Sequence, residues 1–182
     1  MSWYRRNYVP GGTYFFTVVT HQRRPVLTTD LARRILREVL TAERAERPFE
    51  IVAVVLLPDH LHTIWTLPEG DADYPARWAS LKEAFTRRYL AAGGSEGPVS
   101  AARAARRERG VWQRRFWEHT VRDEDDLKRR VDYIHFNPVK HGLVGRVRDY
   151  PWSSFWRFVA GGEYELDWGS VPPADVPGAE WE

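Results

Sequence analysis

The sequence predicts an α+β domain, four strands and two helices in the order β-α-β-β-α-β around a central antiparallel sheet, followed by an additional helix. Three observations carry this. Short runs rich in aromatic and β-branched residues alternate with longer segments whose apolar residues recur every three or four positions, the two periods that separate strand from helix. The middle two strand-like runs are separated only by Pro58-Asp59, which leaves room for a hairpin and nothing else. The resulting order is that of ferredoxin-like and RNA-recognition-like domains.

Taken in order, Gly11-Gly12 is a turn, and Thr13-Tyr14-Phe15-Phe16-Thr17-Val18-Val19-Thr20 is the first strand. From Asp30, Leu31, Ile35, Val39 and Ala42 recur at helical spacing until Pro48 closes an amphipathic helix. Ile51 to Leu57 is a continuous apolar strand, and His60 to Leu67 is its antiparallel partner. A second helix runs from about Pro75 to Leu90, with Trp78, Leu81 and Phe85 inward and Lys82, Arg87 and Arg88 outward. Residues 91–110 hold Gly93-Gly94, Gly97-Pro98 and an Ala/Arg-rich stretch, the composition of a flexible loop. Trp112 to Val121 reads as the fourth strand. The additional helix starts at Asp123, with Asp123 and Glu124 suited to its positive end, and is expected to end near Phe136 because Pro138 disfavours helix in the residue before it. Residues 1–157 are thus expected to form one domain, and 158–182 an acidic, partly irregular tail.

Composition narrows the partners. Nothing after Arg157 is Lys or Arg, whereas Glu163, Glu165, Asp167, Asp175, Glu180 and Glu182 lie there, so the net charge of only +2 conceals a body, residues 1–157, of +8. A basic body rich in aromatics, with nine Trp, eight Tyr and eight Phe, has the stacking faces and cations that a single-stranded polyanion needs. There is no Cys, so any metal is held by His, carboxylate or amide groups. No apolar run approaches the roughly 18 residues of a membrane helix, and a soluble, cytoplasmic protein is expected.

The chemistry gathers in two places. His60 and His62 alternate on a strand, so they point to the same side with Cα atoms roughly 6.5 to 7 Å apart, close enough to converge on one cation. On the helix, Leu127, Val131 and Ile134 mark the buried stripe. Tyr133 and Asn137 fall together on one flank, about 40° apart on a helical wheel, and His135 falls on the other. Two imidazoles, an amide and a phenol are the minimum for a cation-assisted attack of tyrosine on phosphorus. Two rival readings stand beside it: a zinc hydrolase with His60, His62 and His119 as ligands and Tyr133 merely supporting, and a non-catalytic hairpin-binding protein that uses exposed aromatics of its sheet.

Pro58-Asp59-His60-Leu61-His62, Trp112-Gln113-Arg114-Arg115-Phe116-Trp117-Glu118-His119 and Asp132-Tyr133-Ile134-His135-Phe136-Asn137-Pro138-Val139-Lys140-His141-Gly142 resemble the signatures of single-tyrosine HUH transposases, in the branch associated with repetitive extragenic palindromes (REPs). The resemblance implies a strand cutter and joiner acting on single-stranded DNA hairpins through a 5′-phosphotyrosine. Tyr133 would be the nucleophile, and His60, His62 and Asn137 would hold Mg²⁺ or Mn²⁺. Asn137 stands where mobile relatives carry Gln, and Asp59 where many carry Asn. Arg5, Arg6, Arg87, Arg88, Arg114 and Arg115, with Trp3, Tyr4 and Trp112 as stacking planes, are the candidate DNA contacts. No membrane contact is expected, and a monomer is the favoured assembly.

Overall fold

The computed structural model describes residues 6–173. They form β1 (Thr13–Val19), α1 (Asp30–Glu46), β2 (Glu50–Leu56), β3 (His60–Thr66), α2 (Tyr74–Ala91), α3 (Ala101–Ala105), β4 (Trp117–Thr120), α4 (Glu124–Lys140) and α5 (Phe155–Ala160). The strands lie in the order β2-β3-β1-β4, every neighbouring pair antiparallel, so the expected α+β, ferredoxin-like sheet is present. No helix among the described residues is long and apolar enough to cross a membrane.

Alternation along the strands divides the core in two. Tyr14, Phe16, Val18, Leu61 and Trp65 pack with α1 and α2, whereas Phe15, Ala53, Val55 and Ile64 pack with Val131, Tyr133 and Ile134 of α4. Both faces of the two central strands are therefore covered, which is why they read as continuous apolar runs. Side-chain caps begin the helices: Thr29 accepts from the amide of Ala32, Asp73 from Ala76 and Asp123 from Asp126. Trp78 of α2 stacks on Trp65 of β3 with ring centroids 4.2 Å apart.

Local expectations are corrected in four places. The fourth strand is confined to Trp117–Thr120, with Trp112 joined to Thr20 only by an isolated bridge. Between them the Lys82 ammonium takes the carbonyls of Gln113 and Arg114 out of the ladder. The segment expected as a plain loop contains α3 and is closed at its base, where Gly97 N donates to Gly110 O at 2.8 Å and Arg109 pairs with Glu96. A Cβ on Gly110 would stand 2.0 Å from Gly97 O, so glycine serves a close backbone approach there. α4 runs through Pro138 to Lys140, because burial of every residue from Arg130 to Pro138 outweighs the local preference. α5 crosses the expected boundary at residue 157: Phe158 is buried, and Tyr164 packs against the same cluster.

The C-terminal segment also closes one edge of the sheet. Leu56 N donates to Trp152 O and Ser154 N to Val54 O, both at 2.9 Å, and the Arg157 guanidinium reaches the carbonyls of Ile51 and Val52. From there the chain wraps the back of α4. His135 Nε2 lies 2.8 Å from Ser154 Oγ, and Tyr164 donates to Asp132 Oδ1 at 2.5 Å.

An ion cluster anchors the first turns of α4 to β4. The Asp126 carboxylate, 1% exposed, accepts from Arg130 Nε at 2.9 Å, His119 Nε2 at 2.8 Å and Arg122 N at 3.1 Å. Burial raises its pKa, but the His119 hydrogen bond and the Arg130 charge outweigh it and hold the carboxyl down at about 2. Burial, together with the charges of Arg130 and Arg122, lowers the His119 pKa against the pull of Asp126, so His119 serves as a neutral donor and Arg130 carries the opposing charge.

Asp126→Ala strips the main carboxylate partner from buried Arg130 and is expected to cost about 3 kcal/mol in urea unfolding at neutral pH. A carboxyl whose folded pKa is depressed stabilises above its unfolded pKa, so the gap between wild type and variant should close as pH falls from about 4 towards 2.

Candidate active site

The β1–β3 register builds the site. It sets His60 opposite Val19 and His62 opposite Thr17, with both imidazoles on the face that α4 covers. The rings lie 4.8 Å apart, nearly perpendicular, and are 2% and 0% exposed. His60 Nδ1 lies 2.6 Å from Asp59 Oδ1. An ionised carboxylate can only accept, so the ring donates and its Nε2 keeps the lone pair. His62 Nδ1 lies 2.9 Å from Thr17 Oγ1. Burial, then the repulsion that His60 and His141 would exert if protonated, pushes the His62 pKa well below its ordinary value, which keeps that ring neutral. Neither Nε2 has a hydrogen-bonding partner among the described residues.

α4 closes the site from above with one row of side chains, each a turn from the next. Tyr133 meets His62 edge-on at 5.2 Å and Phe15 at 5.9 Å. Two turns further along, exposed His141 lies 5.3 Å from the His60 ring. Asn137 sits between them in that row and is therefore carried over the pair of imidazoles. It is fully buried, and neither Oδ1 nor Nδ2 has a partner among the described residues. Leaving such a group unsatisfied costs about 1 to 3 kcal/mol, and native interiors rarely tolerate it without a role. Lys140 extends its ammonium over the Tyr133 ring, 5.0 Å from the centroid.

Two imidazole nitrogens and one amide oxygen, each buried and unsatisfied, with both rings oriented through Nδ1, form a donor set that fits one divalent cation with further positions open. Among the described residues no three His, Cys, Asp or Glu side chains gather as a metal cluster. His119 is engaged by Asp126 on β4, with β1 between it and the site, so the three-histidine zinc arrangement does not form. His135 faces Ser154 and Tyr164 on the opposite side of α4. Tyr133 and Asn137, expected on a flank off the core, are fully enclosed, because that flank faces the sheet, where Tyr133 packs on Phe15 and His62.

The candidate DNA residues separate. Trp3, Tyr4 and Arg5 lie outside the described residues. Arg6 lies over Phe116 and pairs with Glu118 at 3.6 Å. Trp112, 6% exposed, packs edge-on against Phe85 and so belongs to the core instead of offering an open stacking plane. Arg88 is near Glu38, and Arg87 near Glu83. Arg114 and Arg115 are exposed. Arg87 and Arg114 border a groove of about 920 Å³ between α2 and the segment around α3, together with Lys82, Arg103, Arg107 and Arg109. Sequence reasoning missed Thr17, Lys140, His141 and Arg23. Lys140 and His141 follow from Tyr133 once the helix is continued past Pro138; Thr17 needs the strand register. Arg23, whose Nη1 lies 3.2 Å from Asp59 Oδ2, had no signal.

Known proteins bear on this geometry. The sequence profile of the family described as "Transposase IS200 like" matches residues 8–137. A REP-associated tyrosine transposase of Escherichia coli (strain K12) is 46% identical over 168 residues, which cover 92% of this chain and 91% of that protein. A relative from Haemophilus influenzae is 44% identical over 178 residues, covering 98% of this chain and 99% of its own. The solved structure of a REP-associated tyrosine transposase bound to a REP hairpin superposes with a TM-score of 0.79 at 44% identity, covering 99% of this chain and 96% of that one.

Because the Asn137 amide is buried without a partner, the near-isosteric Asn137→Leu change is expected to leave the metal-free protein as stable or to raise its stability by about 1 kcal/mol. Thermal unfolding in EDTA measures this; a marked loss would mean that the amide holds the fold together.

Proposed function

The chain belongs to the IS200-like transposase family, and we propose that it cuts and rejoins single-stranded DNA at REP-like hairpins, with Tyr133 as the nucleophile. The observation that carries the reading is the row on α4, which sets a tyrosine against His62 and a partnerless amide over two imidazoles with unshared Nε2 atoms. His60, His62 and Asn137 would hold Mg²⁺ or Mn²⁺. When bound, the cation polarises the scissile phosphate and eases the charge that builds on the departing oxygen.

The phenol oxygen of Tyr133 forms a bond to phosphorus as the bond to the 3′ oxygen breaks, and the phenol proton ends on that oxygen. The products are a 5′-phosphotyrosine and a free 3′-hydroxyl. A phosphodiester is exchanged for a phosphodiester, so attack by another 3′-hydroxyl restores DNA without ATP. Thr17 and Asp59 hold the imidazoles in orientation. The Lys140 ammonium adds positive charge beside the phenol, where the phosphate must come. Tyr133 is fully enclosed, so a strand reaches it only when side chains at the mouth, Lys140 and His141 among them, swing aside.

The Arg-rich groove supports the DNA half of the reading. Its floor is tied to the catalytic end of the sheet by Gln113 N donating to Val19 O at 2.9 Å, and Val19 faces His60 across the ladder. A backbone lying there neutralises phosphates with Arg107 and Arg114 on its way to the site. The RNA-recognition-like alternative needs an open sheet face, whereas Phe15 and Phe16, on opposite faces of β1, are both fully buried.

Three measurements test the proposal. Hairpin DNA labelled at its 3′ end, incubated with protein and Mn²⁺, should give a denaturation-resistant protein-DNA band that EDTA and Tyr133→Phe each abolish, while hairpin affinity of the variant stays within about threefold of wild type. No such band under any divalent cation would refute the nucleophile assignment. The Asn137→Leu protein should lose the thermal shift that Mn²⁺ gives to wild type. Arg107→Glu combined with Arg114→Glu should weaken hairpin binding at least about tenfold and flatten its salt dependence by roughly two phosphate contacts.

A further inference from the structure

The turn that leaves β1 is built against its own backbone preference. Gln22 and Arg23 are consecutive non-glycine residues at φ 55° and 50°, a region that a Cβ makes costly and that persists only when the surroundings enforce it. They do so here from both sides. Thr20 Oγ1 shares its one proton between Asp59 O at 2.8 Å and Arg24 O at 2.9 Å, and His21 N donates to Val111 O at 2.9 Å. Arg24, back at φ −68°, turns away to Ser95.

What this conformation delivers is one guanidinium. Arg23 Nη1 reaches Asp59 Oδ2 at 3.2 Å, while the other oxygen of the same carboxylate takes His60 Nδ1 at 2.6 Å. The Arg23 side chain is 45% exposed, and an ion pair that open to water adds little to stability. Fold stability is thus a poor reason to keep two strained residues, whereas orientation of His60 is a direct consequence of them.

We propose that Arg23 is a positioning residue of the cation site: it pins the outer oxygen of Asp59, so that the inner oxygen holds the His60 ring with Nε2 facing the site. This rests on the assignment of His60 as a ligand. The relay runs from strained turn to guanidinium, carboxylate and imidazole, and of these only the imidazole would touch the cation.

The strain gives the test a signature that a purely structural residue lacks. Glycine at either position relieves the backbone, but only glycine at position 23 removes the guanidinium. Gln22→Gly should raise the Tm of the metal-free protein by about 2 °C and leave Mn²⁺ affinity, measured by calorimetry on the full chain, within about twofold. Arg23→Gly should raise the Tm similarly and yet weaken Mn²⁺ binding roughly tenfold, the usual scale for losing a group behind a ligand. Arg23→Lys, which keeps the charge but not the fork, should fall between and covers the case in which the glycine variant folds poorly. Arg23→Gly with intact Mn²⁺ affinity, whatever its Tm, would overturn the inference, as would an Arg23→Lys protein that binds Mn²⁺ as tightly as wild type. Wild type that binds no Mn²⁺ would instead overturn the ligand assignment beneath it.

Discussion

The pairing of β1 with β3 is the constraint on which the rest of the molecule depends. Because Thr17 faces His62 and Val19 faces His60, both imidazoles look towards α4 and one of them is oriented by a cross-strand hydroxyl. A slip of one residue would send both rings into the aromatic core under α1 and α2 and bring Leu61 to the site in their place. That core is what forbids the slip. Tyr14, Phe16 and Val18 of β1, with Leu61 and Trp65 of β3, fill the space against Trp78, Leu81 and Phe85, and no other register buries them all. Packing on one face of the sheet thereby fixes the chemistry on the other.

α4 inverts the usual relation between burial and activity. Its residues from Arg130 to Pro138 are all buried, held at one end by the Asp126 cluster on β4 and along the back by Ser154 and Tyr164. Such enclosure would normally select apolar side chains, yet the helix keeps Asn137 without a partner among the described residues and aims a phenol at an imidazole. The energy lost on those groups is made up by the apolar and ionic contacts around them. Rigidity is the return: phenol and amide ride on one rod and cannot shift relative to each other.

Much of this was legible in the sequence, for identifiable reasons. Element order, hairpin and helix phases follow from hydrophobic period and turn residues, and the pairing of His60 with His62 follows from strand alternation alone. The resemblance carried by the motif around Tyr133 named the family correctly. What escaped was set by tertiary contact. Pro138 should stop a helix, and does not, because Leu143 and Gly142 take the carbonyls of Pro138 and Val139 and its ring is buried. The wheel took the far side of α4 for a surface, since nothing local shows that residues beyond Ser153 fold back over it. Arg23 lies in a stretch with no distinguishing pattern, and Thr17 in a strand whose pattern names no partner; their roles exist only once β1 is paired and the Pro58-Asp59 turn is seated beside it.

The seam between β2 and the segment Trp152–Ser154 has a bearing on how the protein is made. Val54 and Ser154, bonded at 2.9 Å, are separated by 100 positions, so during synthesis β2 emerges long before the residues that seal its outer side. Until they arrive, an apolar strand stands with open amides and carbonyls, a template for pairing between neighbouring nascent chains. Translation that stalls ahead of residue 150 therefore leaves a sheet able to recruit a second chain, and completion of the polypeptide removes the hazard.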